Sequence, residues 1–238
     1  MESSFLPWDL PSRWMGCDEG DYSHLFPLLR AQGYAQACPH MTHLTLASTS
    51  QIRAELLRNA GLEIETVAAR VDEEAIKAAL LAEDAKPRDI ADALAEAKAR
   101  KVAMKGTAGL VLGCDQVLEF DGRVISKCAN SGDALELLRE MRDKRHSLLS
   151  AAVIYEGDKP VWRHVGVARL MMRDASDAYL EDYIARNWES IRHSVGGYKL
   201  EEEGVRLMAR VDGDYFTVLG LPLVELLSYL TLRGTLPK

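Results

Sequence analysis

From Leu44 onward the apolar and polar positions change rhythm several times, and each change marks an element. A short apolar stretch from Leu44 passes through the hydroxyl-rich Ser48, Thr49 and Ser50 into a segment that places Leu56 and Leu57 on one side. That pattern predicts a strand, a turn and a helix. Val111 and Leu112 begin a second apolar run, which resumes from Val117 to Phe120 before the turn pair Asp121-Gly122, so a hairpin is expected there. Within this run Gly113 is expected to let the backbone approach a ligand, and Asp115 to stand where the buried strand ends. The segment 93–102 is strongly helix-forming by propensity, and 131–141 spaces Leu135, Leu138 and Met141 as one helix face. Segment 147–155 reads as a strand. Segment 161–172, broken by charges, reads as an exposed strand, and 175–186, preceded by capping residues, as an amphipathic helix. The alternation predicts an α/β fold around a central mixed sheet.

Composition narrows the class. Of the residues, 47% are hydrophobic and 27% charged, and no apolar run approaches the roughly 20 residues of a membrane span. A net charge of -7 argues against a general nucleic-acid-binding surface but is compatible with a mononucleotide ligand. Cys17, Cys38, Cys114 and Cys128 show no Cys-x-x-Cys spacing, so neither a zinc site nor a disulfide framework is expected, and a reducing cytoplasm is the default. Cys114 reads as a small buried thiol rather than a nucleophile. The histidines lack a metal-ligand pattern. Residues 1–40, with Pro7, Pro11, Pro27 and Pro39 and no sustained apolar period, are expected to form an irregular extension, with Met41 as an alternative start. Nothing in them resembles a secretory signal. The rest, 41–238, is expected to form one domain.

Asp115 carries the most chemical content. An acid at the end of a buried strand is a metal ligand, a general base or a turn former. Its company argues for chemistry. Ser48, Thr49 and Ser50 bring hydroxyls and N-cap geometry to a helix start, where unpaired backbone N–H groups attract anions, and Arg53 adds a charged fork one turn in. Lys98, in the predicted helix, and Lys127, after the hairpin, are two further cations. Converging on one acid and one arginine, they would suit a polyphosphate with its divalent metal.

The order of these features resembles the Maf family of nucleoside triphosphate pyrophosphatases, from about Thr42 to Gly234. The family's Ala-Ser-x-Ser-Pro-Arg-Arg-x-x-Leu-Leu opening is matched by Ala47 to Leu57, and the block with its acidic pair by Val71-Asp72-Glu73-Glu74. Its Leu-Ala-x-x-Lys corresponds to Leu94–Lys98, its Gly-x-Asp-Thr/Gln to Gly113–Gln116, and its Gly-Lys-Pro to Ser126–Cys128. Gly196–Glu201 and Val218–Pro222 resemble the two closing blocks. Gln51 stands where the family has proline, Ile52 where it has its first arginine, and Ser126 and Cys128 flank the lysine in place of glycine and proline. The resemblance implies a bent sheet with a deep cleft between two lobes of one domain, a homodimer, and hydrolysis of a nucleoside triphosphate to the monophosphate and pyrophosphate. It further implies Asp115 as general base or water-orienting carboxylate, and Glu73 with Asp115 as ligands of Mg²⁺ or Mn²⁺. Ser48, Ser50, Arg53, Lys98 and Lys127 would contact the phosphates.

The resemblance also divides substrates. The branch acting on dTTP and UTP has Arg, Thr and Gln at the sites that here are Ile52, Gln116 and Glu201; the branch acting on 7-methyl-GTP has a non-arginine residue, Gln and Glu. Guanine presents N1–H and its 2-amino group as donors, which a carboxylate accepts together, whereas the uracil edge mixes acceptors with one donor. The expected substrate is therefore 7-methyl-GTP, in nucleotide-pool house-cleaning. A dTTP/UTP pyrophosphatase, a hydrolase of deaminated purine triphosphates and a nucleotide-binding division regulator with little turnover stand as alternatives.

Overall fold

The computed structural model describes residues 43–238, and the reading of residues 1–40 lies outside them. The strands are β1 (Leu44–Leu46), β2 (Ile64–Thr66), β3 (Leu110–Phe120), β4 (Arg123–Ile125), β5 (Arg145–Glu156), β6 (Lys159–Met172) and β7 (Met208–Asp212). The helices are α1 (Gln51–Asn59), α2 (Glu73–Ala82), α3 (Pro87–Ala103), α4 (Ser131–Met141), α5 (Asp177–Ile191), α6 (Tyr215–Val218) and α7 (Leu223–Leu232), with a 3-10 turn at Glu203–Leu207. One open sheet runs in the order β2-β1-β3-β5-β6-β7, and β4 pairs with β3 beside that path. β1 lies parallel to β2 and β3, and the remaining pairs are antiparallel, so the sheet is mixed, as the alternation predicts.

β3 organises the molecule. Its side chains alternate between the two sheet faces. On one face Val111 and Val117 join Leu149, Ala151 and Val153 against Ile90, Leu94, Ala95 and Ala99 of α3. On the other, Leu110, Leu112 and Cys114 join Leu46, Ala152 and Ile154 against Leu57 of α1 and Leu223, Leu226 and Leu230 of α7. Beyond them Leu118 and Phe120 meet Leu138 and Met141 of α4 and Leu180 and Tyr183 of α5. These buried faces leave short polar turns to close the elements. Asn130 and Ser176 cap α4 and α5 by accepting from the backbone three residues on.

Three sequence readings change. Asp115 does not end a strand: β3 is unbroken from Leu110 to Phe120, because β5 pairs with it continuously from Leu110 to Glu119. Gly113 serves packing rather than a ligand, since a Cβ there would lie 2.1 Å from the Ala95 carbonyl oxygen and 2.6 Å from the Ala99 nitrogen. α3 therefore rests directly on β3. β6 is exposed only in part: Arg163 and Arg169 face outward, while Val165, Ala168, Leu170 and Met172 are buried. Among the described residues no helix is long and apolar enough to cross a membrane.

Candidate active site

β1 pairs with β3 only from Leu110 to Leu112, and β4 joins the same strand only at Leu118. Between them β3 has an open edge, and there a cleft of about 750 Å³ lies against Asp115, Gln116 and Val117. The turn after β1 supplies Ser48 and Ser50 to its lining, the first turn of α1 supplies Ile52 and Arg53, α2 supplies Glu73, α3 supplies Lys98, the segment after β4 supplies Lys127, and the turn after α5 supplies Glu201. Residues scattered over the sequence thus meet in one cavity.

The close seat of α3 on Gly113 brings Lys98 onto Asp115, the residue two places along the same face of β3. Lys98 Nζ donates to Asp115 Oδ1 at 2.6 Å and lies 3.0 Å from Glu73 Oε1. Both members of the first pair are buried, at 8% and 7% exposure. Burial pushes the Asp115 carboxyl above the ordinary aspartate range; Lys98 and Arg53 pull against it, and Glu73 adds to the rise. Cys114, wholly enclosed, is pushed up to about 11 chiefly by burial, so its thiol keeps its proton at neutral pH.

Gln116 points to the opposite face. The two N–H groups of its Nε2 are shared among three acceptors: Val218 O at 2.9 Å, Ser150 Oγ at 3.0 Å and Thr217 O at 3.2 Å. Backbone carbonyls only accept, so the amide orientation is fixed and Oε1 is the remaining polar atom. Arg53 is held in a similar way, with Nε donating to Gly220 O at 2.8 Å and Nη1 to Cys114 O at 3.0 Å. Gly220 adopts φ of 93°, and a Cβ there would lie 2.9 Å from Arg53 Nη2, so this position needs glycine. Ser50 caps α1 by accepting from Arg53 N, and Ser48 Oγ accepts from Ser50 N at 3.2 Å.

Lys127 and Glu201 occupy the exposed rim. The neighbours of Glu201 are committed elsewhere: Glu202 accepts from Ser190 and Lys199, and Glu203 accepts from Asn187 at 3.0 Å and pairs with Arg186. Glu201 has no hydrogen-bond partner among the described residues and lines the cleft. Sequence reasoning missed Lys77, which also lines it; the four-residue spacing from Glu73 places both on one helix face. It also missed the buried contact of His146 Nε2 with Tyr198 OH, 2.7 Å, beneath the segment that carries Glu201. Burial lowers His146 to about 4.

Among the described residues no group of three or more His, Cys, Asp and Glu side chains is arranged to hold a metal. The pair fits a hard divalent ion nonetheless. Asp115 Oδ2 and Glu73 Oε2 accept nothing from the described residues, and Mg²⁺ is commonly held by one or two carboxylates together with substrate phosphates and waters.

An open mixed sheet whose exposed strand edge carries a cleft of cations, hydroxyls and two carboxylates defines an α/β protein built for a small, charged ligand. The Maf-like protein family model matches residues 43–232, and the chain belongs to that family. It is 67% identical over 195 residues to a protein of Roseobacter denitrificans named nucleoside triphosphate pyrophosphatase, covering 82% of this chain and 98% of the relative. A Ruegeria protein of the same name is 64% identical, covering 83% of this chain and 99% of the relative. A Rhizobium meliloti protein named 7-methyl-GTP pyrophosphatase is 45% identical, covering 81% of this chain and 97% of the relative.

Proposed function

We propose that this nucleoside triphosphate pyrophosphatase takes 7-methyl-GTP as its substrate, releasing 7-methyl-GMP and pyrophosphate in cytoplasmic nucleotide-pool house-cleaning. The observation that carries the reading is Glu201: a carboxylate with no partner among the described residues, in the same cleft as Gln116, whose remaining polar atom is also an acceptor. Two acceptors suit the N1–H and 2-amino donors of guanine, and the cationic N7-methylated ring gains further from a nearby carboxylate. Ile52, in place of an arginine, adds no competing donor. The similarity to the Rhizobium relative supports the same reading.

In the reaction a water attacks the α-phosphorus, the bond from that phosphorus to the bridging oxygen breaks, and pyrophosphate leaves. Asp115 takes the proton of the attacking water; its raised affinity for protons, set by burial, brings it nearer the working range of a general base. Lys98 offers its third N–H to a phosphate oxygen while holding Asp115 and Glu73 in place. Arg53, anchored by two carbonyls, presents its remaining donors, and Ser48, Ser50 and Lys127 add contacts to the leaving group. Asp115 and Glu73 are the residues that would hold Mg²⁺ or Mn²⁺, which when bound supplies charge neutralisation to the phosphates.

The test is product analysis with purified protein, 7-methyl-GTP and each of the two metals. Stoichiometric 7-methyl-GMP and pyrophosphate are expected. Orthophosphate as the sole inorganic product, or no turnover, would overturn the mechanism.

A further inference from the structure

α2 packs lightly: none of its residues is buried, yet the Lys77 side chain is only 13% exposed. The side chain is covered where it reaches across to the segment after β4. Lys77 Nζ donates to Ser126 Oγ at 2.9 Å and to Glu74 Oε1 at 3.1 Å. Ser126 directly precedes Lys127, and Lys77, Ser126 and Lys127 all line the cavity that holds Asp115 and Lys98. An ammonium has three donors, and the described residues occupy two, one of them with the largely solvent-exposed carboxylate of Glu74. The site therefore contains a cation that is held in position with a donor to spare.

Two details give the contact a role. Glu73 and Lys77 are four residues apart on one helix, so the turn that aims Glu73 at Lys98 also aims Lys77 into the same cleft. Ser126 contributes a hydroxyl where glycine would have none, and that hydroxyl ties the chain before Lys127 to α2. The contact spans two elements that no strand pairing joins, since β4 pairs only with β3.

We infer that Lys77 is a further substrate-binding residue, contacting the phosphates that leave as pyrophosphate, and that Ser126 is its positioning residue. The inference rests on the pyrophosphatase reading of the cleft. In the bound complex the third donor of Lys77 meets a phosphate oxygen, and the exposed Glu74 contact is the one readily exchanged for a second.

Inorganic tripolyphosphate, titrated calorimetrically into the full chain, tests this without requiring turnover, and pyrophosphate inhibition of 7-methyl-GTP hydrolysis tests it in the working enzyme. Lys77→Met is expected to weaken both by about 10-fold, Lys77→Arg to stay within about 3-fold of the parent, and Ser126→Ala to weaken both by about 2- to 3-fold, in line with charged and neutral hydrogen bonds. KM for the triphosphate should rise more than kcat falls, which a loss of folding would not produce. Unchanged tripolyphosphate affinity in Lys77→Met overturns the assignment. If the parent binds tripolyphosphate but turns over no nucleotide, the pyrophosphatase reading fails while the Lys77 contact is still decided by the titration.

Discussion

On the sheet wall of the cleft, Arg53, Lys98 and Gln116 are tied to backbone carbonyls or carboxylates, whereas on the outer rim Lys127 and Glu201 have no hydrogen-bond partner among the described residues. The wall grows from β3 and the helices pressed against it, so its groups are held before any ligand arrives. The rim grows from turns whose other polar residues are tied to one another. The contrast assigns work: Arg53 and Lys98, fixed on the wall, fit the triphosphate shared by every nucleotide, and the uncommitted Glu201, with the remaining acceptor of Gln116, fits the base that distinguishes one from another. Changes at Asp115, Arg53 or Lys98 should then alter rate or stability for all substrates, and changes at Glu201 should alter the ratio between them.

The strongest test of the wall is Asp115→Asn. A fall in kcat of about 10²- to 10⁴-fold with every nucleotide is expected, in single-turnover pyrophosphate release, with the far-ultraviolet spectrum unchanged. A loss below 10-fold would remove Asp115 from the chemistry and break the division of labour. Lys98→Met comes next. It strands a buried carboxylate beside Glu73 and should destabilise the fold by about 3 kcal/mol in urea titrations near neutral pH. A loss equal to that of an exposed pair, below about 1 kcal/mol, would mean the wall is not preorganised.

Beneath the rim, His146 sharpens the comparison through pH. Burial depresses its folded-state pKa to about 4 from 6.5, so below pH 6.5 the unfolded chain takes up a proton that the native chain does not. Its stabilising contribution is present above pH 6.5 and is lost as the pH falls towards 4. The parent should lose on the order of 2–3 kcal/mol more than His146→Gln between pH 7 and pH 4, judged from paired urea titrations. Parallel stability profiles would contradict the buried, neutral imidazole. The smallest effect belongs to the rim itself: Glu201→Gln should narrow the preference for 7-methyl-GTP over UTP by about 10-fold, with wall-dependent kcat on UTP little changed.

Much of this was legible in the chain because it rests on local rules. The hydroxyl cap at Ser50, the Asp121-Gly122 turn and the helical face containing Leu138 and Met141 follow from spacing and short-range chemistry. The lining residues were also recoverable, since ordered motifs mark them even when they are far apart in sequence. What spacing does not show is which face meets which partner. Gly113 looked like a ligand approach because its neighbour in space, Ala95, lies on a helix whose angle no local pattern encodes. The end of β3 was misplaced for a related reason: the apolar run pauses at Asp115, but continuous pairing with β5 carries the strand through. Lys77 stands four residues from Glu73, but only its contact with Ser126, 49 residues away, places it over the cleft.

Glu201 and the remaining acceptor of Gln116, selecting 7-methylguanine beside a phosphate site that treats triphosphates alike, set one expected order of substrates. Specificity constants for 7-methyl-GTP, GTP, dTTP and UTP, measured side by side by pyrophosphate release at fixed metal concentration, test it most directly. The expected order places 7-methyl-GTP first, at least about 10-fold above dTTP and UTP, in proportion to one charged hydrogen bond. Equal or faster turnover of UTP or dTTP by the unmodified protein would contradict the assignment of the rim and leave the wall with its chemistry intact.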